Sequence, residues 1–262
     1  MPKFLLILTI FFPLLAFSPR QQEPVVVVEV DAEKMVCDNI GNAYLIKAES
    51  ISKYDSLGVL QKSFSNKTFG PITSADATNA LRIVLFYKDF NRIVTLDNTL
   101  SQNGDAIQLE SVGFPFATLV AASHDNGFWI YDQQNFELVR INRNLQVEQR
   151  SGNLSQLLGI ELQPNFIIEK DNRLFLNNPT TGILVFDIFG TYSKTVPVKD
   201  LKYFQVVDDD IIYFKDAAIS VWTLPTANNY SLIVTSPTAT SVLLEKSKMF
   251  VLDNKHFLIY NR

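Results

Sequence analysis

The sequence has little of the two side chains that most often carry chemistry. It holds one cysteine, Cys37, so no disulfide can form within the chain. Its two histidines, His124 and His256, lie far apart in sequence and share no metal-ligand spacing. The motifs of α/β-hydrolases, P-loop proteins and dinucleotide-binding proteins are missing as well. The sequence therefore predicts no catalytic residue, no metal site and no cofactor.

Positive charge is not in excess either. The 262 residues include 23 Lys and Arg against 27 Asp and Glu, which gives a formal net charge of −4. Nonspecific nucleic-acid binding needs clustered positive charge facing the phosphates, so the composition argues against a nucleic-acid partner. Hydrophobic residues make up 47% of the chain and charged residues 19%, so the chain can bury a large core. Twenty Phe and nine Tyr, with many Val and Ile, favour β-structure.

The N-terminal segment differs from the rest of the chain. A single charge at Lys3 precedes an apolar run over Phe4–Phe17, which small and polar residues follow. The run is shorter than the roughly 20 residues of a membrane-spanning helix, which favours a signal peptide over residues 1–18. Ala16 and Ser18 both offer a small residue for cleavage, and a retained membrane anchor is the alternative. We therefore predict export to a bacterial periplasm, which a chain with a lone cysteine fits, without membrane insertion of the mature chain.

Amphipathic helical patterns are nearly absent after this segment, and one strand pattern recurs instead. It is an apolar strand that ends in Asp or Asn in all copies but one, and the copies begin 42, 45, 45, 36 and 38 residues apart. Further apolar strands lie before and after each copy. Four strands per roughly 40 residues, repeated six times, is the pattern of a β-propeller. The copies are ISKYD at Ile51, IVTLD at Ile93, LVRIN at Leu138, ILVFD at Ile183, ISVWT at Ile219 and FLIYN at Phe257.

The predicted fold class is all-β, a six-bladed β-propeller over residues 24–262. The last repeat holds only three strands, and the strand Pro24–Val30 has no partner in the first blade. Pro24–Val30 can therefore complete the last blade and close the ring, which removes the exposed edges of an open sheet. A β-sandwich is the alternative, but it would not predict six nearly equal repeats. The blades are predicted at 33–66, 72–110, 116–150, 165–199, 202–235 and 239–262.

Asp55, Asp97 and Asp187 recur at one position of the repeat and could suggest chemistry. Recurrence at one structural position argues for turn formation instead, because Asp and Asn side chains bond to the backbone of their own turn. The run Asp208–Asp210 could bind Ca²⁺, but it lacks the alternating ligand pattern of known acidic loops. We interpret it as a solvated turn.

Function is expected on the loops that share one face of the propeller, namely those between second and third strands and those from blade to blade. The longest are 111–117 and 151–164, and the second has a short helical pattern at Leu154–Leu158. Phe side chains there could form a docking patch, although packing between blades is favoured for each Phe taken singly, as it is for Trp129 and Trp222. The residues predicted to bind a partner are Phe69, Lys88, Phe90, Asn91, Phe114, Phe116, Gln133 and Gln134.

Two functions are compatible with these features. The favoured one is a non-enzymatic protein–protein interaction module, since long loops share one face and no catalytic constellation is present. The alternative is a propeller that binds a small ligand or glycan, or a lyase-like enzyme, through a central channel lined by Ser123, Glu169 and Gln205. A polar channel mouth would favour the alternative, and a channel filled by Phe and Val would argue against it.

Two segments carry a resemblance to a known family. LFYKDFNRIVTLDNTLS from Leu85 and NGFWIYDQQNFELVRINRN from Asn126 resemble short exported β-propeller proteins of Bacteroidota. The resemblance implies association with an outer-membrane assembly. More specifically, it implies a periplasmic accessory or plug subunit of the type 9 protein-secretion translocon, with another translocon subunit as the protein partner.

Overall fold

The computed structural model describes residues 23–232 and 238–261, which form a six-bladed β-propeller. Each blade is a four-stranded antiparallel sheet, and in five blades the strands follow one another in sequence. Short apolar runs between polar turns produce this meander, because each run is long enough for only one strand. The predicted all-β fold with six blades is confirmed.

The strands are numbered in chain order. Blade 1 contains β2 (Lys34–Cys37), β3 (Ala43–Lys47), β4 (Ser50–Tyr54) and β5 (Leu60–Ser65). Blade 2 contains β6 (Ser74–Asn79), β7 (Arg82–Tyr87), β8 (Arg92–Leu96) and β9 (Ile107–Gln108). Blade 3 contains β10 (Ala117–Ala122), β11 (Phe128–Asp132), β12 (Glu137–Ile141) and β13 (Val147–Arg150). Blade 4 contains β14 (Phe166–Lys170), β15 (Arg173–Asn178), β16 (Gly182–Asp187) and β17 (Tyr192–Val196). Blade 5 contains β18 (Gln205–Val207), β19 (Asp210–Lys215), β20 (Ala218–Thr223) and β21 (Asn228–Leu232). Blade 6 contains β22 (Ser241–Glu245), β23 (Lys248–Leu252), β24 (His256–Asn261) and β1 (Val26–Glu29).

β1 closes the ring by pairing with β24. The two strands are antiparallel, with Val26 opposite Ile259 and Val28 opposite Phe257. Val26 and Val28 pack against the apolar cluster between blades 6 and 1, in which Phe257 is fully buried. The N-terminal strand therefore completes the last blade, as the sequence predicted.

Apolar side chains fill the six interfaces between neighbouring blades, with one cluster at each. Between blades 3 and 4, Trp129 and Phe186 are fully buried together with Leu154 from the connecting loop. Burying a side chain of this size contributes about 1.5–3 kcal/mol. Packing between blades therefore supplies much of the stability of the ring.

The repeated acid after the third strand forms a turn, as predicted. Oδ1 of Asp97 accepts hydrogen bonds from the backbone N of Thr99 at 2.8 Å and of Ser101 at 2.9 Å. These bonds replace the backbone pairing that the turn interrupts. The same bonds to residues i+2 and i+4 are made by Asp55, Asn142 and Asp187.

Helical structure within the described ranges is confined to short loop segments. α1 (Leu154–Leu158) confirms the helical turn predicted in the connection between blades 3 and 4. Single 3₁₀ turns lie at Lys67–Phe69, Lys88–Phe90 and Leu109–Val112. None of these helical segments is long and apolar enough to cross a membrane.

The antiparallel order of the strands gives the ring two distinct faces. The connections between blades and the turns between second and third strands lie on one face, which we call the connection face. The other turns within the blades lie on the opposite face. The first strand of each blade lies innermost, and these six strands surround a central channel of about 460 Å³.

Candidate interaction surface

The turn between β7 and β8 lies on the connection face and is held firmly in place. Lys88–Phe90 forms a 3₁₀ turn, which Asn91 ends in the left-handed region at a φ of 49°. Nδ2 of Asn91 donates to the backbone O of Phe114 at 2.9 Å, and the Asn91 backbone O accepts from Leu109 N at 2.9 Å. The turn is therefore tied to the connection between blades 2 and 3.

Two aromatic side chains stand exposed on these loops. Phe90 is 47% exposed and Phe116 is 56% exposed. A Cβ added to Gly70 would lie 3.0 Å from the ring of Phe90, so the glycine leaves room for that ring. The backbone O of Phe116 accepts from Gln133 N at 3.1 Å, which joins this loop to the turn of blade 3. Aromatic side chains on loops that are already ordered lose little entropy on binding, which suits them to contact a partner.

Phe69 and Phe114, which were also predicted to bind a partner, pack inward instead. Phe114 is 1% exposed. Phe69 is half-buried, with its ring 5.5 Å from that of Tyr87 and 5.0 Å from the guanidinium carbon of Arg92. These two rings pack beneath the loops. Inward packing, which was favoured for each Phe taken singly, is therefore found for Phe69 and Phe114 but not for Phe90 and Phe116.

The polar residues predicted on this face differ in exposure. Lys88 and Gln134 are exposed, whereas Asn91 and Gln133 are half-buried. The amide of Asn91 is used in the bond to the backbone of the neighbouring connection, so Asn91 positions the loop. Lys88 and Gln134 remain available for contacts with a partner.

Leu157 adds an exposed apolar side chain that the sequence analysis did not identify. It lies on α1 and is 62% exposed, while Leu154 of the same helix is fully buried. The side chain of Asn153 caps the helix by accepting from Gln156 N at 2.9 Å. Leucines at positions i, i+3 and i+4 share one face of a helix, so the sequence pattern predicts burial of all three and gave no signal that Leu157 is exposed. We define the connection-face patch as Phe90, Phe116 and Leu157 with Lys88 and Gln134.

On the opposite face, Glu169 of β14 is a buried carboxylate that joins two blades. Its side chain is 5% exposed. Oε2 accepts hydrogen bonds from Ser123 Oγ at 3.0 Å and from Trp129 Nε1 at 2.6 Å. Oε1 accepts from the backbone N of His124 at 2.8 Å and lies 2.8 Å from the His124 Nδ1. All of these donors belong to blade 3 or to the turn that follows β10, so Glu169 clamps blades 3 and 4 together.

Charged groups lie beside the imidazole of His124, whose side chain is 43% exposed. Its Nε2 lies 3.4 Å from Nη1 of Arg140. Arg140 in turn pairs with Asp125 at 3.3 Å and with Glu148 at 3.1 Å. Across residues 23–232 and 238–261, no group of three or more His, Cys, Asp or Glu side chains is placed to hold a metal ion. The cluster has the paired charges of a structural network.

The central channel agrees only in part with the one expected under the alternative function, which predicted a polar mouth and a wall lined by Ser123, Glu169 and Gln205. Phe166, Phe204 and Val206 are among the residues that line it. Ser123 and Glu169 do not line it, contrary to the prediction, because they bond to each other in the interface between blades 3 and 4. Apolar side chains therefore occupy much of the channel wall, and its two mouths carry the polar groups.

Gln205 does line the channel, but the fold uses its amide. Its Nε2 donates to the backbone O of Leu244 at 3.2 Å, and its Oε1 accepts from Leu244 N at 2.7 Å, which satisfies the free edge of β22. The same Nε2 lies 3.3 Å from Cys37 Sγ, and burial raises the pKa of the Cys37 thiol to about 12. Burial also lowers the pKa of Lys34, whose Nζ donates to the backbone O of Thr73 at 2.6 Å.

The geometry defines the protein as a six-bladed β-propeller with an exposed aromatic patch on its connection face. No protein-family model and no curated protein sequence matches the chain. Its fold is similar to that of a chain of the mitotic checkpoint complex, with a TM-score of 0.67, 7% identity, and 100% of this chain and 99% of that chain covered. It is also similar to virginiamycin B lyase from Staphylococcus aureus, with a TM-score of 0.56 and 14% identity. The match covers 87% of this chain and 80% of the lyase chain. The WD40 domain of Neurospora crassa Pan2 matches with a TM-score of 0.59, 12% identity, and 85% and 72% covered. At these identities the likeness shows the fold alone, which a lyase and a WD40 domain share.

Proposed function

We propose that the protein is a non-enzymatic interaction module that binds a protein partner through the connection-face patch. The observation that carries the proposal is the pair of exposed rings, Phe90 and Phe116, on loops that hydrogen bonds hold in place. Large aromatic side chains are enriched among the residues that dominate binding energy at protein interfaces. Lys88 and Gln134 would form the polar rim around them.

The proposal includes export and a partner in an outer-membrane assembly. Export rests on the signal peptide predicted for residues 1–18, which lie outside the described residues. The resemblance to exported Bacteroidota propellers supports a subunit of the type 9 secretion translocon as the partner. The two segments that carry this resemblance, Leu85–Ser101 and Asn126–Asn144, hold Phe90, Lys88 and Gln134 of the patch.

Affinity purification from envelope extracts of the source bacterium tests the proposal. The tagged wild-type protein is expected to recover a stable membrane-protein partner, and the double variant Phe90→Ser, Phe116→Ser is expected to lose it. Both side chains are exposed, so the double variant should fold and keep its melting temperature. Recovery of the propeller alone, with no stable partner, would contradict the proposal.

Phe189 supplies a matched control for this experiment. It is 57% exposed, like the two patch residues, but lies in the turn between β16 and β17 on the opposite face. Phe189→Ser removes the same chemical group from the surface and is expected to leave the partner bound. Equal loss of the partner in Phe189→Ser and in the double variant would show that the connection-face patch is not the binding site.

A second candidate function is binding of a small ligand in the central channel. The channel volume of about 460 Å³ lies within the range of small-molecule sites, and its wall is largely apolar. A ligand there would raise the melting temperature, and a thermal-shift screen of apolar and amphipathic compounds measures this. A substitution that narrows the channel, Ala75→Leu in β6, should abolish any shift.

A further inference from the structure

A second cavity lies at the rim of the ring, far from the connection-face patch along the chain. It is a groove of about 490 Å³ between blades 4 and 5, and the segment Pro197–Lys199 forms one wall. The other wall is the surface of blade 5 that turns toward blade 4, where it carries Tyr213, Lys215, Ser220, Trp222, Asn229 and Ser231.

The repeat shows that blade 5 departs from its neighbours at this surface. Ser220 is the third residue of β20 after the turn between β19 and β20, and it pairs with Tyr213 of β19. The equivalent position is apolar in blades 2, 3 and 4, where Val94, Val139 and Leu184 are buried between blades. Ser220 Oγ instead lies 2.8 Å from Ser231 Oγ of β21. Hydroxyl groups therefore stand where blades 2, 3 and 4 pack hydrocarbon, and blade 1 has an equivalent pair in Ser52 and Ser63.

Trp222 stands beside these hydroxyl groups. The sequence analysis interpreted it as core, but it is half-buried: it packs on the cluster between blades 4 and 5 and also lines the groove. Its indole N–H makes no hydrogen bond to any described residue. An aromatic ring at the edge of a polar groove offers a flat apolar surface to a ligand and a donor at its rim.

Asn229 lies directly opposite Trp222 in the sheet and is held in one orientation. Tyr213 Oη donates to Asn229 Oδ1 at 3.0 Å, which fixes the amide and leaves its Nδ2 free to donate. The groove thus holds an oriented amide, a pair of hydroxyls and an indole around one space. None of these groups carries a charge of its own.

The charges at the groove offset one another. Lys215 Nζ donates to the backbone O of Lys199 at 3.0 Å and lies 3.6 Å from Asp200 Oδ2. Asp216 and Lys199 also border the groove with opposite charges. No excess of either sign is present to attract an ion, so the groove suits a ligand without net charge.

We propose that the groove between blades 4 and 5 binds a neutral saccharide. The apolar C–H face of a sugar ring would lie on Trp222, and its hydroxyls would accept from Asn229 Nδ2 and exchange hydrogen bonds with Ser220 and Ser231. The combination of one apolar face with hydroxyls along the edge of the ring is the chemistry that this wall matches. The site lies on other blades than the connection-face patch, so it is independent of the proposed protein partner.

Titration of the full chain with maltose, cellobiose, lactose and chitobiose tests the proposal by tryptophan fluorescence. The chain has two tryptophans, and Trp129 is fully buried, so a saturable change reports on Trp222. At least one disaccharide is expected to give such a change. Absence of a saturable change with all four disaccharides, up to tens of millimolar, would overturn the proposal.

Single-residue variants locate the binding site, and isothermal calorimetry measures the affinity of each variant for the disaccharide. Asn229→Ala removes an exposed side chain and is expected to weaken the affinity by about tenfold, the loss typical of one hydrogen bond. Ser220→Ala removes one hydroxyl of the groove and is also expected to weaken the affinity. Blade 1 offers its matched control, because Ser52 Oγ lies 2.8 Å from Ser63 Oγ in the same arrangement as the serine pair of blade 5. Ser52→Ala is expected to bind as the wild type does. Unchanged affinity in Asn229→Ala would also overturn the proposal.

Discussion

The indole Nε1 of Trp129 in blade 3 donates a hydrogen bond of 2.6 Å to the Glu169 carboxylate in blade 4. Both groups are buried, so the bond forms away from water, where a charged acceptor strengthens it. The same carboxylate accepts from Ser123 and from the backbone of His124. A single carboxylate of β14 therefore bonds to β11 and to the turn after β10, at an interface that apolar packing also holds together.

Removal of this carboxylate should destabilise the protein strongly. Glu169→Ala leaves the donors of Trp129 and Ser123 buried without an acceptor, and each such loss costs about 1–3 kcal/mol. We expect a decrease of at least about 3 kcal/mol in the free energy of unfolding, measured by urea denaturation. Glu110→Ala, at an exposed position of the connection between blades 2 and 3, serves as the control and should change stability little. Equal stability of the two variants would show that the hydrogen bonds of Glu169 between blades 3 and 4 do not stabilise the fold.

Gly58 should prove essential to the closure of the ring. Its φ is +75°, and a Cβ there would lie 2.6 Å from Val26 Cγ1 and 3.1 Å from Val28 Cγ2 of the closing strand. Gly104 has a similar φ of +80° with nothing within 4 Å of the same position. Alanine at either site carries a backbone cost of about 1 kcal/mol, and only Gly58→Ala adds overpacking of about 1–3 kcal/mol.

The difference between Gly58→Ala and Gly104→Ala, measured by equilibrium unfolding, isolates the contact with β1. We expect Gly58→Ala to be the less stable of the two. If the two variants lose the same free energy, the turn of blade 1 does not support the closing strand.

The Cys37 thiol should be nearly inert in the folded protein. Burial, together with the negative charges of Glu245 and Asp38, raises its pKa to about 12. The thiolate is the reactive species, so the folded chain should react with iodoacetamide at mildly alkaline pH about two orders of magnitude more slowly than the chain unfolded in urea. Mass spectrometry of timed samples measures both rates, and comparable rates would contradict the raised pKa of this half-buried thiol.

The same pKa shift gives a pH dependence of known sign. Above the ordinary pKa of a thiol the unfolded chain loses this proton, while the folded chain keeps it until the pH reaches about 12. The raised pKa therefore lowers the free energy of unfolding as the pH rises from the ordinary thiol pKa to about 12. It has no effect on stability below the ordinary thiol pKa. Cys37→Ser removes this contribution, so its stability should fall less steeply than that of the wild type over the same alkaline range.

The repeat in the sequence was sufficient to predict the fold. Strand length, turn residues and the spacing of the copies all follow from local chemistry. The predicted blade bounds agree with the observed strands to within three residues, except that the ends predicted at 235 and 262 lie outside the described residues. The turn role of Asp97 was predictable because its hydrogen bonds reach only to Thr99 and Ser101. The closing strand was predictable because the last repeat has only three strands and the N-terminal strand Pro24–Val30 belongs to no repeat.

The site was less predictable, because it depends on contacts between repeats. Phe69 and Phe90 look alike in sequence, yet Phe69 meets Tyr87 and Arg92 while Phe90 stays at the surface. Burial of a loop side chain depends on the neighbouring blade, which the local pattern does not specify. The pairing of His124 with Glu169 did have a signal, since their separation of 45 positions in sequence equals the length of a repeat.

The pairing of β1 with β24 also determines when, during synthesis of the chain, the ring can close. β1 leaves the ribosome before every other strand described here, and its partner is synthesised more than 200 residues later, when Val26 can first meet Ile259. Blades 1 to 5 can each form as their own strands appear, because their pairings are local. The ring can be closed only after synthesis of β24, so until then the valine-rich strand must remain unpaired or be held by another molecule.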